Sequence, residues 1–153
     1  MTKPMTIIGI IGAGSCSDEQ AALAGKVGEL VAARGAALVC GGLGGVMQAA
    51  ARGAAARGGL TIGILPGSRR DEANPDIAVP IVTDLGHARN ALIVHTAQAI
   101  IAVAGEYGTL SEIAIALKLG KRVVTLGGWT DIRGVITAHS PEEAVEKAFD
   151  AVA

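Results

Sequence analysis

The sequence has very few aromatic residues and no excess of basic charge. Tyr107, Trp129 and Phe149 are the only aromatic residues among 153, and the formal net charge is −1. Proteins that bind single-stranded nucleic acid usually stack bases on aromatic side chains in a positively charged groove. Because the chain has neither feature, we expect no nucleic-acid partner.

Cysteine is equally scarce, since Cys16 and Cys40 are the only two. Cytosolic thiols stay reduced, so a disulfide is disfavoured and two small packed residues are the simpler interpretation. The three histidines, His87, His95 and His139, have no metal-ligand spacing with either cysteine. We therefore expect no metal site and no required cofactor.

Long hydrophobic runs are absent, although half of the residues are hydrophobic. No apolar run approaches the roughly 20 residues of a membrane-spanning helix. The start of the sequence also lacks the apolar stretch and cleavage site of a signal peptide. We therefore expect a cytoplasmic protein without a membrane partner. The length suits a single domain, 1–153, with its own hydrophobic core.

What the sequence does contain is a regular alternation of strand-like and helix-like segments. Short β-branched runs predict strands at 7–11, 36–39, 61–65, 80–82, 99–103, 123–126 and 134–137. Helical patterns occur at 19–34, 46–57, 88–98, 110–119 and from 141 onward. This alternation predicts a single-domain α/β fold, a three-layer sandwich with a mostly parallel sheet and helices on both faces.

Local signals mark several ends of these elements. Ser17 with Gln20, and Ser140 with Glu143, have the spacing of capping boxes at helix starts. Gly120 suits a helix C-terminal cap. The polar segment 68–79 is predicted to be an irregular loop, and long loops in compact domains are often functional.

Three turns that connect a strand to a helix are rich in glycine. Their candidate ligand-binding residues are Gly12, Gly14 and Ser15; Gly41, Gly42, Gly44, Gly45 and Met47; and Gly105, Glu106, Tyr107, Gly108 and Thr109. In a parallel sheet these turns share the edge where open α/β sheets bind ligands. Glycine lets the backbone approach a ligand closely, and the helix that follows offers N–H groups to phosphate. One such turn is explained equally well by backbone geometry alone, whereas three on one edge favour an anion site.

Two familiar phosphate motifs do not fit the sequence. A Walker loop needs Ser or Thr after Gly-Lys, but Val27 and Arg122 follow the two Gly-Lys pairs. A dinucleotide fingerprint that begins at Gly12 needs Gly or Ala where Ser17 stands. A Walker-type ATPase and an NAD-dependent enzyme are thus disfavoured.

The segment 105–112, Gly-Glu-Tyr-Gly-Thr-Leu-Ser-Glu, resembles the Pro-Gly-Gly-x-Gly-Thr-x-x-Glu signature of the Lonely Guy (LOG) family. Residues 41–47, followed by Gly58-Gly59, resemble the earlier glycine motif of that family, and residues 87–90 resemble its Arg-Lys element. The resemblance extends over about 7–129. It is closest to the short Rossmann-like branch that includes molybdenum cofactor carrier proteins.

The resemblance implies two functions. LOG enzymes hydrolyse the N-glycosidic bond of nucleoside 5′-monophosphates, and their functional Arg and Glu correspond to Arg89 and Glu112. A carboxylate can stabilise an oxocarbenium-like sugar, and a guanidinium can hold a phosphate. The carrier proteins imply instead that a phosphorylated ligand such as molybdenum cofactor is bound as cargo.

Differences from the signature favour the carrier over the hydrolase. Ala104 replaces its Pro, Glu106 replaces its second Gly, and Asn90 replaces its Lys. Glu106 adds negative charge to a turn expected to hold phosphate. Our first hypothesis is therefore a binding or carrier protein for a nucleotide-like phosphorylated ligand, and the alternative is a phosphoribohydrolase. A nucleotide-sensing module ranks last.

The candidate catalytic residues also have purely structural interpretations. Thr109 and Glu112 have capping-box spacing, so Glu112 can serve only its helix. Arg89 can lie on a solvated helix face, and Asn74 can close an Asx turn before Pro75.

The predicted helix 110–119 is apolar nearly all round. Leu110, Ile113 and Leu117 can face the sheet, which leaves Ile115 and Leu119 in need of other cover. We expect a homodimer or a dimer of dimers, formed by this helix and the one that carries Leu92 and Ile93.

Overall fold

The computed structural model describes residues 1–152 and contains a seven-stranded, fully parallel sheet. The strands are β1 (Ile7–Gly12), β2 (Ala37–Cys40), β3 (Thr61–Leu65), β4 (Val79–Val82), β5 (Ala99–Val103), β6 (Arg122–Leu126) and β7 (Ile136–Ala138). Their order is β4-β3-β2-β1-β5-β6-β7, with every neighbouring pair parallel. Neighbouring strands that are consecutive in the chain are joined by crossover connections, and the chain passes from the edge strand β4 to β5, which pairs with β1.

Within residues 1–152, five α-helices cover the two faces of the sheet. They are α1 (Asp18–Ala33), α2 (Val46–Ala56), α3 (Arg89–Thr96), α4 (Tyr107–Lys118) and α5 (Pro141–Phe149). The buried side chains of α1, α2 and α5 belong to one hydrophobic cluster, and those of α3 and α4 belong to the other. The predicted three-layer α/β sandwich is thereby confirmed.

Central strands supply both hydrophobic clusters because successive side chains point to opposite faces. Ile10 belongs to the cluster under α1, α2 and α5, whereas Ile11 belongs to the cluster under α3 and α4. Both are 0–1 % exposed. Continuous apolar runs therefore form these strands, as expected for a sheet buried on both faces.

Glycines allow α1 and α2 to pack closely. A Cβ atom at Gly53 would lie 2.0 Å from the carbonyl oxygen of Gly25, and one at Gly28 would lie 2.0 Å from that of Ala50. The helix backbones themselves therefore form the contact. This packing fixes the position of α2, whose second residue, Met47, lines the candidate site described below.

Two predicted helix boundaries were wrong by two residues or more. Helix α3 ends at Thr96 rather than at residue 98. Helix α4 begins at Tyr107 rather than at Leu110, with Glu106 as its N-cap. The glycine-rich turn thus runs into the first helical turn, where Gly108 has helical backbone conformation despite its low helix propensity.

The predicted helix starts at Ser17 and Ser140 are confirmed. The Ser17 side chain accepts from the Gln20 backbone N–H at 3.1 Å, and the Gln20 side chain accepts from the Ser17 N–H at 3.1 Å. Ser140 caps α5 through the Glu143 N–H at 3.1 Å, but the Glu143 carboxylate accepts from the N–H of His139 instead of Ser140.

The segment 68–79 contains a 3-10 turn at Arg70–Glu72 and leads into β4. Asn74 anchors it, because its amide donates to the Leu43 carbonyl at 2.8 Å and its Oδ1 accepts from the Asp76 N–H at 3.0 Å. The Asx-turn interpretation of Asn74 is therefore correct. The bond to Leu43 holds this segment against the second glycine-rich turn.

Within residues 1–152, no helix has both the length and the apolar composition needed to cross a membrane. Cys16 and Cys40 are both free thiols.

Candidate ligand-binding site

The carboxyl ends of the neighbouring strands β2, β1 and β5 open into a cleft of about 370 Å³. The predicted residues that line it are Gly12, Gly14, Ser15, Gly41, Met47, Arg89, Asn90, Glu106, Gly108, Thr109 and Glu112. The structure thus brings together residues from all three glycine-rich turns and from the segment that contains Arg89.

Five predicted residues do not line the cleft, namely Gly42, Gly44, Gly45, Gly105 and Tyr107. The first four shape the turns behind the surface. Tyr107 is 81 % exposed and lies on a second cavity of about 630 Å³ between α3 and α4.

The first two glycine-rich turns interlock. The Val46 N–H donates to the Ala13 carbonyl at 3.0 Å. Gly45 has φ of 62°, and a Cβ atom there would lie 2.2 Å from the same carbonyl oxygen. Only glycine meets both demands. The start of α2 is therefore held directly against the turn that follows β1.

Arg89 is the buried cation of the cleft, although it begins helix α3. Arg89 is only 9 % exposed, so the interpretation that it lies on a solvated helix face is wrong. One terminal nitrogen donates to the Asn90 side chain, and the other lies 3.5 Å from the Gly41 carbonyl oxygen. Its buried Nε has no hydrogen-bond partner among the described residues. Burial lowers the pKa of the guanidinium, and Glu112 partly opposes this shift.

Glu112 faces the cleft from the interior of α4 and is 6 % exposed. Burial raises the pKa of its carboxyl group to about 7, while the Arg89 charge acts in the opposite direction. The capping-box interpretation of Thr109 and Glu112 is wrong, because Glu106 occupies the N-cap position of α4 and both residues lie within the helix. Glu112 is thus a buried acid able to gain or lose a proton near neutral pH.

Asn90 links α3 to α4. Its side-chain amide donates to the Ser111 hydroxyl at 3.2 Å, and that hydroxyl donates to the Gly108 carbonyl at 2.6 Å. The chain of bonds fixes the first turn of α4 relative to Arg89. Asn90 therefore supports the geometry of the cleft as well as lining it.

The third turn has an unusual backbone conformation. Ala104 has φ of +48°, and a Cβ atom at Gly128, in the loop after β6, would lie 3.3 Å from the Ala104 Cα atom. Proline cannot adopt this φ, so the backbone at Ala104 does not suit the proline that the LOG signature has at this position. The Trp129 indole N–H donates to the Gly105 carbonyl at 3.1 Å, which ties the loop after β6 to this turn.

Sequence reasoning missed five residues that line the cleft, which are Ile10, Ile11, Ala13, Leu43 and His87. Three of them are large apolar residues. The position of Ile10 and Ile11 near the end of β1 could have indicated that they border the cleft, because the carboxyl ends of central strands form such clefts. Leu43 is half-buried and offers a ligand some apolar surface, whereas the side chains of Ile10 and Ile11 are 0–1 % exposed and belong to the core.

Cys40 lies beneath the second glycine-rich turn. Its sulfur accepts from the Gly42 N–H at 3.4 Å, and burial raises the pKa of the thiol to about 11. The thiol therefore stays protonated and unreactive. Residues 1–152 contain no group of three His, Cys, Asp or Glu side chains arranged to hold a metal ion.

Comparison with known proteins identifies relatives of the whole chain. A family model described as the SLOG cluster4 family matches residues 5–151. A protein of Archaeoglobus fulgidus is 53 % identical over 138 residues, which cover 90 % of this chain and 91 % of the relative. The cytokinin riboside 5′-monophosphate phosphoribohydrolase of Mycobacterium marinum is 36 % identical over 123 residues, which cover 74 % of this chain and 65 % of that enzyme.

Two solved structures share nearly the entire fold. The molybdenum cofactor binding protein of Rippkaea orientalis has a TM-score of 0.94 and 34 % identity, with 99 % of this chain and 100 % of that chain covered. The molybdenum cofactor carrier protein of Chlamydomonas reinhardtii has a TM-score of 0.89 and 33 % identity, with 97 % and 99 % covered.

Proposed function

The chain belongs to the SLOG cluster4 family, and from this premise we propose that it binds and carries a small phosphorylated, nucleotide-like ligand in the cleft. The observation that carries the proposal is the buried Arg89 beside three strand-to-helix turns. Burying an arginine is unfavourable unless its donors are used. The free Nε of Arg89 is a donor that an anionic ligand can satisfy.

The phosphate group of the ligand binds at the start of α2. This helix has no capping side chain and no acidic residue in its first turn. The N–H of its first residue, Val46, already donates to the Ala13 carbonyl, so the other N–H groups of the first turn and the positive end of the helix dipole are what an anion can use. Gly41 keeps Arg89 next to this helix start, since a Cβ atom at Gly41 would lie 2.7 Å from Arg89 Nη2.

Molybdenum cofactor is the cargo we propose. Two proteins that share the complete fold at 33–34 % identity are named for binding or carrying it. The cofactor joins a pterin ring to a phosphate group. A cleft with an apolar side chain at Leu43 and a cationic end at Arg89 suits such a molecule.

Native mass spectrometry of the freshly purified protein tests the proposal. We expect the protein to carry one phosphorylated ligand per chain as purified. A protein purified without ligand should form a one-to-one complex when molybdenum cofactor is added. A carrier must also release its cargo, so the loaded protein should activate a molybdenum-free apoenzyme. A protein that takes up neither molybdenum cofactor nor any nucleoside monophosphate contradicts the proposal.

Phosphoribohydrolase activity is the second candidate function. The Mycobacterium marinum relative, which is 36 % identical, is named for this activity. In the cleft that contains Arg89, burial raises the pKa of Glu112 to about 7. A group with this pKa suits acid–base chemistry at a glycosidic bond. Release of ribose 5-phosphate from AMP by the wild type, and its loss in Glu112→Gln with binding retained, supports this candidate over the carrier.

We also propose that the chain forms a homodimer or a dimer of dimers through α3 and α4. Leu92 on α3 and Leu119 after α4 are 38 % and 40 % exposed, and Tyr107 is more exposed still. A second subunit would remove this apolar surface from water. Light scattering at micromolar concentration should give at least twice the monomer mass, and a monomeric mass contradicts the proposal.

A further inference from the structure

The third turn contains a carboxylate whose role differs from that of the other cleft residues. Glu106 is exposed, lines the cleft and is the N-cap of α4, but its side chain makes no capping hydrogen bond. A carboxylate at this point stabilises the helix dipole only modestly. It also repels a phosphate group that approaches the start of α4, because two anions would then meet.

The two ends of the cleft are therefore chemically different. The start of α2 follows β2, whereas Glu106 follows β5, and β1 lies between these strands. Two strand spacings separate the two ends by about 10 Å. Arg89 and the uncapped helix start lie at the first end, and the Glu106 carboxylate lies at the second. A ligand with a phosphate at one end thus turns its other end towards Glu106.

We propose that Glu106 determines the ring specificity of the cleft, by selecting a base that offers two adjacent N–H donors. An ionised carboxylate is an acceptor with two oxygens and can receive both bonds at once. The 2-amino-4-oxo pyrimidine edge, which guanine and pterins share, presents such a pair. Adenine presents one donor beside one acceptor at the corresponding edge and leaves a carboxylate oxygen facing a ring nitrogen. The inference rests on the proposed binding function and names the ligand class of the same cleft.

The proposal separates a pterin carrier from an AMP hydrolase through one residue. A site that hydrogen-bonds a donor rejects an analogue without it, because its own polar group is left unpaired. A well-formed bidentate pair discriminates between bases by about tenfold to a hundredfold. A preference for guanine or a pterin over adenine therefore comes from Glu106. Arg89 and the start of α2 cannot supply this preference, since in the proposed binding mode they contact only the phosphate.

Competition between GMP and AMP tests the proposal. The protein is mixed with equal concentrations of both nucleotides, and native mass spectrometry measures the intact complexes, which differ in mass. The wild type should retain GMP over AMP by about tenfold or more. IMP has the ring N–H but lacks the 2-amino group, so its affinity should lie between the two.

Variants assign the preference to Glu106. Glu106→Gln offers one donor and one acceptor, which fits adenine, so the preference for GMP should vanish or reverse. Glu146→Gln is the matched control, because Glu146 is exposed on α5 outside the cleft, and it should keep the wild-type preference. Equal retention of GMP and AMP by the wild type, or an unchanged preference in Glu106→Gln, overturns the role of Glu106 alone. Retention of neither nucleotide overturns the role of Glu106 in selecting a base, and it contradicts the binding function as well when molybdenum cofactor is not taken up either.

Discussion

Arg89 and Glu112 face the same cleft from two helices and alter each other's pKa without forming an ion pair. Burial raises the pKa of Glu112 to about 7, and the charge of Arg89 acts against that shift. Among the ion pairs of residues 1–152, none joins these two side chains within 4.0 Å. Both therefore remain available to a ligand, which is unusual for buried charges of opposite sign.

The raised pKa of Glu112 predicts a specific dependence of stability on pH. The folded protein binds this proton more tightly than the unfolded chain, whose carboxyl has the ordinary value of 4.5. The free energy of unfolding therefore falls as the pH rises from about 4.5 to about 7. Glu112→Gln removes this contribution, about 2 to 3 kcal/mol across the interval.

Urea unfolding at pH 5 and pH 8 measures the effect. The stability of Glu112→Gln relative to the wild type should increase between the two pH values. Glu146→Gln, with its exposed side chain, should follow the wild type at both. Parallel behaviour of all three proteins is inconsistent with a raised pKa at Glu112.

Arg89→Lys should weaken binding of a nucleoside monophosphate. Lysine keeps the charge but loses the planar group of donors, including the Nε that has no partner in the protein. Loss of a charge-assisted hydrogen bond of about 1.5 to 3 kcal/mol weakens binding about tenfold to a hundredfold. Calorimetric titration with GMP measures the change.

Arg133→Lys is the control for this substitution, because Arg133 is exposed and does not line the cleft. Circular dichroism verifies that both variants fold. Wild-type affinity in a folded Arg89→Lys protein shows that the phosphate binds elsewhere.

Ala104→Gly should stabilise the fold. Ala104 has φ of +48°, a left-handed conformation that costs a residue with a Cβ atom about 1 to 2 kcal/mol. Glycine removes this strain but gives the unfolded chain more entropy, which offsets about 0.4 to 1 kcal/mol. We expect a net gain of about 0.5 to 1 kcal/mol in urea unfolding, by the difference of these estimates.

Ala104→Pro provides the opposite test. Proline cannot adopt the positive φ and cannot donate to the Leu126 carbonyl, which accepts from the Ala104 N–H at 3.0 Å. This variant should lose several kcal/mol of stability or fail to fold. A glycine variant less stable than the wild type contradicts the strained conformation.

Gly53→Ala should destabilise the contact between α1 and α2. The new Cβ atom would lie 2.0 Å from the Gly25 carbonyl oxygen, so the helices must move apart. Overpacking of this kind costs about 1 to 3 kcal/mol. Gly108→Ala is the control, because a Cβ atom there has no neighbour within 4 Å, and thermal unfolding of both variants compares the two sites. Equal stability of the two variants argues against close helix packing.

The fold was predictable because buried parallel strands and amphipathic helices leave different periodicities in sequence. The start of α4 could not be predicted, since Thr109 and Glu112 have the spacing of a capping box although they lie inside the helix. The glycines of the third turn suggested a loop, although Gly108 is helical. Bonds between distant segments, such as Asn90 to Ser111, decide this boundary.

Residue types predicted most of the candidate site, but its electrostatics needed the structure. Glycine-rich turns after parallel strands indicate a shared edge, and the resemblance to a known family indicated Arg89 and Glu112. Their depth of burial depends on how α3 and α4 pack on the sheet. Leu43, which lines the cleft, looks like an ordinary core residue in sequence.

Native mass spectrometry of the wild-type protein incubated with AMP, with ribose 5-phosphate measured in the same sample, tests the central claim most directly. A carrier should hold intact AMP in one-to-one complex, at concentrations about tenfold above those that suffice for GMP, without releasing ribose 5-phosphate, and Arg89→Lys should hold less. Accumulation of ribose 5-phosphate that disappears in Glu112→Gln would contradict the carrier account and identify the cleft as the active site of a hydrolase.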